Sequence, residues 1–277
     1  MDEKLTNDVT KIVSIGSPWT LLDSPGLPLK NSLNKCWFHA GLHLLSTIPP
    51  LRALCISLPR QVKTFEQSLL VAIYAIFQSR RPADVSSFFH SVRDFTGIDN
   101  RYGQVAVPDF IEHLCARSSR LSSVVSFMFS SKVSCSKCNW VSETLCSDVS
   151  LKLHIPSDCI NISLRDLVEH NSIANLAGDN AVYCGTCKVK TSQKVSRSFN
   201  PDLCLVEVIR VTKSSRYGWA KSNASLSFPL TDLVLPGFER GYRVVGTCHH
   251  QGSLNSGHWI TKICSNQGWF ELDDLRG

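Results

Sequence analysis

The sequence contains no apolar run approaching the roughly 20 residues that a membrane-crossing helix requires. Its opening segment, Met1–Thr10, is polar and mixed in charge, and it lacks the apolar core of a secretory signal. There is no internal repeat and no low-complexity tract, which sets aside solenoid and disordered architectures. Nor is there a basic block, because the net charge of +6 is spread along the chain and permits acidic partners without identifying one. The densest basic group, Lys188, Lys190, Lys194 and Arg197, lacks the aromatic interleaving of a nucleic-acid surface and reads as a solvated face. These absences lead to the expectation of a monomeric cytoplasmic or nuclear protein with no membrane or nucleic-acid partner. The stop soon after two adjacent acids, Asp273 and Asp274, reads as the edge of a trimmed domain.

What is present is a core-building composition. With 277 residues, 43% of them hydrophobic, the chain can bury one large core, or a core plus a small subdomain. Twelve cysteines without a signal favour reduced thiols, some catalytic or metal-binding, over a disulfide framework. The first half has helical periodicity. Trp37, Ala40, Leu44 and Leu45 follow Cys36 at helical spacing, and Leu69, Leu70, Ile73, Ile76 and Phe77 line one face of 65–79. Asp84 caps a predicted helix carrying Val85, Phe88, Phe89 and Val92, and Pro108 opens another carrying Phe110, Ile111 and Leu114. After about Ser122 the period shifts to two. Val149, Leu151, Leu153 and Ile155 alternate, 203–211 suits a central strand, and 242–247, 258–263 and 268–272 are shorter strands. A short helix is predicted over 164–169, after Ser163. Helices followed by strands is an α+β pattern.

Cys36 stands where a polar segment gives way to a helix, and a helix N-terminus favours the thiolate. Upstream lie the amides Asn31 and Asn34, a residue type able to donate to a developing oxyanion. Far along the chain, His258 precedes one strand and Asp273 follows the next, so a returning strand would set carboxylate beside imidazole and complete a Cys–His–Asp set. Taken singly, each has a plainer reading: a buried structural thiol, a surface histidine, a solvated acidic turn.

Together these segments resemble the ubiquitin-specific proteases. Asn31-Ser-Leu-Asn34-Lys-Cys36 is similar to that family's cysteine box. The segment from His250 through His258-Trp259, with Trp269-Phe-Glu-Leu-Asp273-Asp274, is similar to its histidine box, and Ile209-Arg210-Val211 ends a similar strand. The resemblance implies a papain-like hand: a helical thumb (about 26–122), β-rich palm (123–130 and 196–277) and fingers (131–195), after an N-terminal extension (1–25). It implies Cys36 as nucleophile, His258 as base then acid, Asp273 as its orienter, Asn31 as oxyanion donor and Asp274 as an assisting or substitute acid. Trp259 would narrow the channel to a Gly-Gly tail, with Trp37 and Asp109 also beside the substrate.

Two Cys-x-x-Cys hooks, Cys135/Cys138 and Cys184/Cys187, have the spacing of a tetrahedral zinc site. With four thiolates and no open position its Zn²⁺ would be structural, and the family resemblance places it at the tips of the fingers. The alternative is a degenerate site or core cysteines.

Three departures bear on the modifier. Leu33 replaces a family glycine and Trp37 a tyrosine. Ala106 stands where an acid that meets ubiquitin's tail arginines is expected, while Asp109 remains. The Cys36-Trp37 pair and the Asp273-Asp274-Leu-Arg-Gly277 ending resemble the SUMO-cleaving branch. The expected partner is therefore ubiquitin or a ubiquitin-like modifier, either SUMO or the interferon-induced two-domain modifier, with its conjugates. A catalytically inactive modifier-binding scaffold and a zinc-ribbon nucleic-acid binder are the rival readings. The presence of all three triad residues counts against the first, and the absence of a basic, aromatic-studded stripe against the second.

Overall fold

The computed structural model describes residues 3–5, 9–16, 21, 27, 29, 35–56, 64–78, 85, 86, 88–90, 92, 105–214, 218–253 and 257–274. Two strands, β1 (Glu3–Leu5) and β2 (Val9–Ser14), precede the helices α1 (Cys36–Ser46), α2 (Pro49–Ile56), α3 (Phe65–Gln78), α4 (Val107–Arg117) and α5 (Ser119–Val125). Strands then dominate: β3 (Phe127–Cys135), β4 (Val141–Asp148), β5 (Ser150–His154) and β6 (Asn161–Ser163), followed by α6 (Leu164–Ser172) and β7 (Ile173–Leu176). The sequence continues with β8 (Val182–Tyr183), β9 (Lys190–Thr191), β10 (Gln193–Phe199), β11 (Leu203–Ile209), β12 (Val211–Ser214) and β13 (Gly218–Lys221). It closes with β14 (Ser225–Phe228), β15 (Leu233–Val234), β16 (Gly241–Gly252), β17 (Gly257–Ser265) and β18 (Gly268–Leu272). The α+β pattern is as the sequence periodicity predicts. The Asp84 cap and the end of the predicted helix at Ser79 lie outside the described residues.

A sheet in the order β18-β17-β16-β2-β11-β5, with β15 added at β16, forms the backbone of the molecule. Side chains alternate across it, so each face has its own core. Val9, Val13, Leu203, Leu205 and Trp259 pack towards α1, α3 and α4, whereas Ile12, Cys204, Val206, Val208 and Leu153 pack with Leu164 and Leu167 of α6. Thr261 on β17 donates to the Ala40 carbonyl at 3.2 Å, fastening α1 to the sheet. On its other side α1 meets α4 at Gly41, where a Cβ would lie 2.6 Å from the Phe110 ring, so this crossing requires glycine.

Within the expected N-terminal extension (1–25), the described strand β2 lies inside the main sheet. All six residues of β2 are buried, and it is an inner strand, antiparallel to both β11 and β16. Its polar Thr10 and Lys11 hide an apolar pattern that the neighbouring strands complete.

A second sheet, ordered β4-β3-β10-β7, projects the chain towards the two cysteine hooks. Cys135 ends β3 and Cys138 sits in the β3–β4 turn, while Cys184 and Cys187 sit in the β8–β9 turn.

Candidate active site

Helix α1 begins at Cys36, where the spacing predicts. Its N-cap, Lys35, makes no side-chain cap bond. Instead, backbone N–H groups of Trp259, Trp37 and Cys36 turn towards the thiol and favour its anion. Burial acts against them and is the larger effect. With Cys36 3% exposed and the Asp274 carboxylate adding repulsion, the thiol is held above its usual value. The helix terminus alone would depress it. Burial, which the sequence does not display, reverses the sign.

The β17–β18 hairpin supplies the rest. Thr261 pairs with Leu272, so the chain beyond β18 returns alongside His258. His258 Nε2 bonds to Asp273 Oδ1, leaving Nδ1 as the ring nitrogen for another partner. Asp274 turns elsewhere: its Oδ1 accepts from His39 Nδ1 at 2.7 Å, and both side chains are buried, 8% and 3% exposed. The Cys36 sulfur, a His258 ring nitrogen and an Asp274 carboxylate oxygen all lie within 4.8 Å of one another. Immediately before His258, Gly257 faces its cross-strand neighbours so closely that a Cβ would collide with the Gln251 carbonyl and the His250 ring. Only glycine lets the strand deliver the histidine at this point.

His39 was missed by sequence reading. Its one signal was position, one turn after Cys36 on the same helix face. Asn31 lies outside the described residues. Trp37, expected beside substrate, is instead in the core at 2% exposure, its ring 5.2 Å from that of Phe110. A large apolar ring on the inward face of α1 packs there because the aromatic cluster with Phe38 and Phe89 covers it.

Beside the catalytic candidates lies a cavity of about 360 Å³, lined by Ala106 and Asp109 from the start of α4, Glu207 and Arg210 at the end of β11, and Trp259. Trp259, 5% exposed, packs against His250, its partner across β16 and β17, with ring centroids 5.2 Å apart. Burial and then Lys221 push the His250 imidazole down to about 4, so it is neutral at pH 7 and its Nδ1 accepts from Lys221 Nζ at 2.8 Å. At the other end Glu207 continues the helix-facing side of β11. Burial lifts its carboxyl to about 7, Glu112 and Asp109 add repulsion, and the Ser150 hydroxyl and Lys152 oppose the rise. Lys152 itself is bonded to Glu112 at 2.7 Å. Thus the acid missing at Ala106 has a counterpart on a different element, invisible to motif alignment.

The two hooks have the same geometry. The residue after each second cysteine, Asn139 or Lys188, has positive φ (54° and 55°), and its N–H returns to the carbonyl of the first cysteine (3.0 and 2.9 Å). The sulfurs face across the gap, with Cys135–Cys187 at 3.8 Å and Cys138–Cys184 at 3.7 Å, and all four lie within 4.8 Å of one another. The Thr191 hydroxyl, helped by backbone N–H groups, pulls Cys135 down to about 6. Four converging thiols, with one already biased to the anion, form a donor set able to hold a metal ion.

A thiol, an imidazole within reach and carboxylates on both sides, set on an α+β frame, are the components of thiol-dependent acyl transfer. The chain belongs to the ubiquitin carboxyl-terminal hydrolase family, whose model matches residues 69–276. That span contains His258, Asp273, Asp274 and the four hook cysteines, with Cys36 ahead of it. Similar proteins include the probable ubiquitin carboxyl-terminal hydrolase 4 of Schizosaccharomyces pombe, 28% identical over 184 residues, covering 61% of this chain and 28% of that protein. Ubiquitin carboxyl-terminal hydrolase 17-like protein D of Mus musculus is 22% identical over 289 residues, covering 93% of this chain and 52% of that protein. The chain thus spans about half or less of these relatives. The structure of the SAGA Ubp8/Sgf11/Sus1/Sgf73 DUB module bound to ubiquitin aldehyde contains a chain that superposes with a TM-score of 0.70 at 15% identity, covering 91% of this chain and 65% of that one. The fold is shared, and the expected hand architecture is borne out at that level.

Proposed function

We propose that this chain is a thiol-dependent isopeptidase that releases a ubiquitin-type modifier by cleaving after its C-terminal Gly-Gly. The observation that carries the reading is the gathering of Cys36, His258 and Asp274 within 4.8 Å, with Asp273 bonded to Nε2 of His258. Cys36 attacks the carbonyl of the last glycine, and His258, oriented by Asp273, takes the thiol proton and returns it to the departing lysine amine. Asn31 donates to the oxyanion. Water then hydrolyses the thioester.

The cavity between α4 and β11 receives the tail, and Trp259 forms its wall nearest to His258. Asp109 and Glu207 place two carboxylates where a tail arginine can form charge-assisted bonds. This favours a ubiquitin-type Leu-Arg-Leu-Arg-Gly-Gly tail over that of SUMO, which lacks those arginines. Within the hand, the hooks tip the fingers (131–195) and hold a structural Zn²⁺ at Cys135, Cys138, Cys184 and Cys187. The thumb presents α1, and the palm, with β2 added, presents β16–β18.

The test is a panel of ubiquitin, SUMO and the interferon-induced modifier bearing C-terminal electrophiles, read as covalent adducts by mass. The ubiquitin probe is expected to label Cys36, the SUMO probe to label it at least tenfold more slowly, and Cys36→Ala to remove labelling while ubiquitin still binds. No adduct with any probe sinks the catalytic reading in favour of a binding scaffold. Preferential labelling by SUMO sinks the tail assignment alone.

A further inference from the structure

Among the described residues, two groups of side chains bring metal-binding atoms together: the four hook cysteines, and Cys36 with His258 and Asp274. The geometry points to the second as a binding site for a zinc-class divalent cation that reversibly silences the nucleophile. Its inhibitory consequence rests on the proposed role of Cys36, but the binding does not.

Thiolate, imidazole and carboxylate are the three ligand types zinc takes in sites that keep a fourth position open to water. Zinc–ligand bonds of about 2.0–2.3 Å place tetrahedral donor atoms about 3.3–3.8 Å apart. Donors already within 4.8 Å of one another reach that spacing by side-chain rotation, with the backbone in place. The groups behind the donors matter as much. His258 is oriented through Nε2 by Asp273, and Asp274 is oriented by His39 at 2.7 Å. Each oxygen or nitrogen ligand therefore has its own hydrogen-bonded support, the arrangement that fixes ligand orientation at zinc centres. Asp274 is the distinctive member. A triad needs one carboxylate on its histidine, and Asp273 fills that place. Asp274, held by a buried histidine from another element, is aimed at the sulfur side instead.

On binding, the Cys36 S–H bond breaks, its proton passes to water, and an S–Zn bond forms. Nothing is oxidised or reduced. The thiolate lone pair and the His258 nitrogen are then both occupied, so neither attack nor proton transfer can proceed. Reprotonation of the sulfur after the ion departs restores the site. With three protein ligands and an open face, this site exchanges its ion more readily than the closed four-cysteine site.

The test uses the whole chain with its four-cysteine site already loaded. Zinc(II) and, in parallel, cobalt(II) are added in metal-buffered solution, and uptake is read by equivalents bound and by the thiolate–cobalt absorption. Wild type is expected to take up one further equivalent. Cys36→Ser should lose it, Asp274→Asn should bind it at least tenfold more weakly, and His39→Leu should bind it about 10–100-fold more weakly, as loss of a supporting hydrogen bond does. Zinc at saturating concentration should slow alkylation of Cys36 by iodoacetamide at least tenfold, with a mild chelator reversing the effect. Equal uptake by wild type, Cys36→Ser and Asp274→Asn overturns the site. If Cys36→Ser does not fold, wild type against Asp274→Asn decides. A chain that binds the extra ion but cleaves no modifier loses its catalytic reading and keeps this site; one that cleaves but takes up no extra ion loses this site alone.

Discussion

Lys11 carries an amine into the seam between α1 and the sheet, where it donates to the Leu44 carbonyl at 3.4 Å and to the Thr47 hydroxyl. Burial, with a contribution from Arg52, lowers its ammonium to about 7. Between that value and the usual 10.5, the unfolded chain binds a proton that the folded chain does not. Burying Lys11 therefore costs the folded state its full amount below about 7, and the cost falls away as pH rises to 10.5. Lys11→Met removes the titration and fills the same space. The variant should gain stability over wild type at pH 6, on the order of a few kcal/mol, with the gain shrinking towards pH 10. Urea midpoints at several pH values measure this, and a gain independent of pH would contradict the assignment. The same residue shows why β2 escaped sequence reading, since a lysine in a short segment marks solvent until its neighbours are known. His39 is parallel: its place on α1 was readable, its bond to Asp274 was not, because 235 positions separate the two.

At the scale of elements, the hooks are two copies of one turn. Each ends in a left-handed residue, and each closes a strand pair too short or too exposed to stand alone. If the four sulfurs hold zinc, the metal cross-links the β8–β9 ribbon to the β3–β4 hairpin, adding to the Ser136–Ser192 and Cys135–Thr191 hydrogen bonds already there. Cys184→Ser should lower the melting temperature by several degrees, a strong chelator should do the same to wild type, and the two effects should not add. Melting that is indifferent to metal removal would leave the hooks as ordinary core cysteines. Elements with a sustained period were legible in the sequence: α1, α3, α4 and the strand run 203–209 stand where spacing predicts. The hook spacing was legible too, because metal geometry is local. The acidic end of the groove was not. Ala106 declares a missing acid along the chain, whereas Glu207 supplies one across space from β11.

For the whole molecule, net charge and local charge diverge. The chain carries +6, a balance that would suit an acidic partner surface, yet the groove is lined by two acids, Asp109 and Glu207. If the tail seated there carries arginine, the local charge governs selection. Glu207→Gln should raise KM for a ubiquitin-type substrate about tenfold, near 1.4 kcal/mol, with kcat little changed. Steady-state kinetics would show it, and an unchanged KM would remove Glu207 from recognition. Because the Glu207 carboxyl titrates near 7, the wild-type advantage should grow as pH rises from 6 to 8.

The position of β2 reaches further than the sheet diagram. Its strand comes from the first residues of the chain, while both partners, β11 and β16, are supplied near the other end. Pairings of such sequence separation raise contact order and slow folding, since loop-closure entropy is lost before the strands reward it. Until β2 inserts, β11 and β16 offer unpaired edges to any passing chain. The sheet that β2 completes is also the one on which α1 packs, through β16 and β17. A molecule with β2 unpaired is therefore open to aggregation on the same sheet that carries His258.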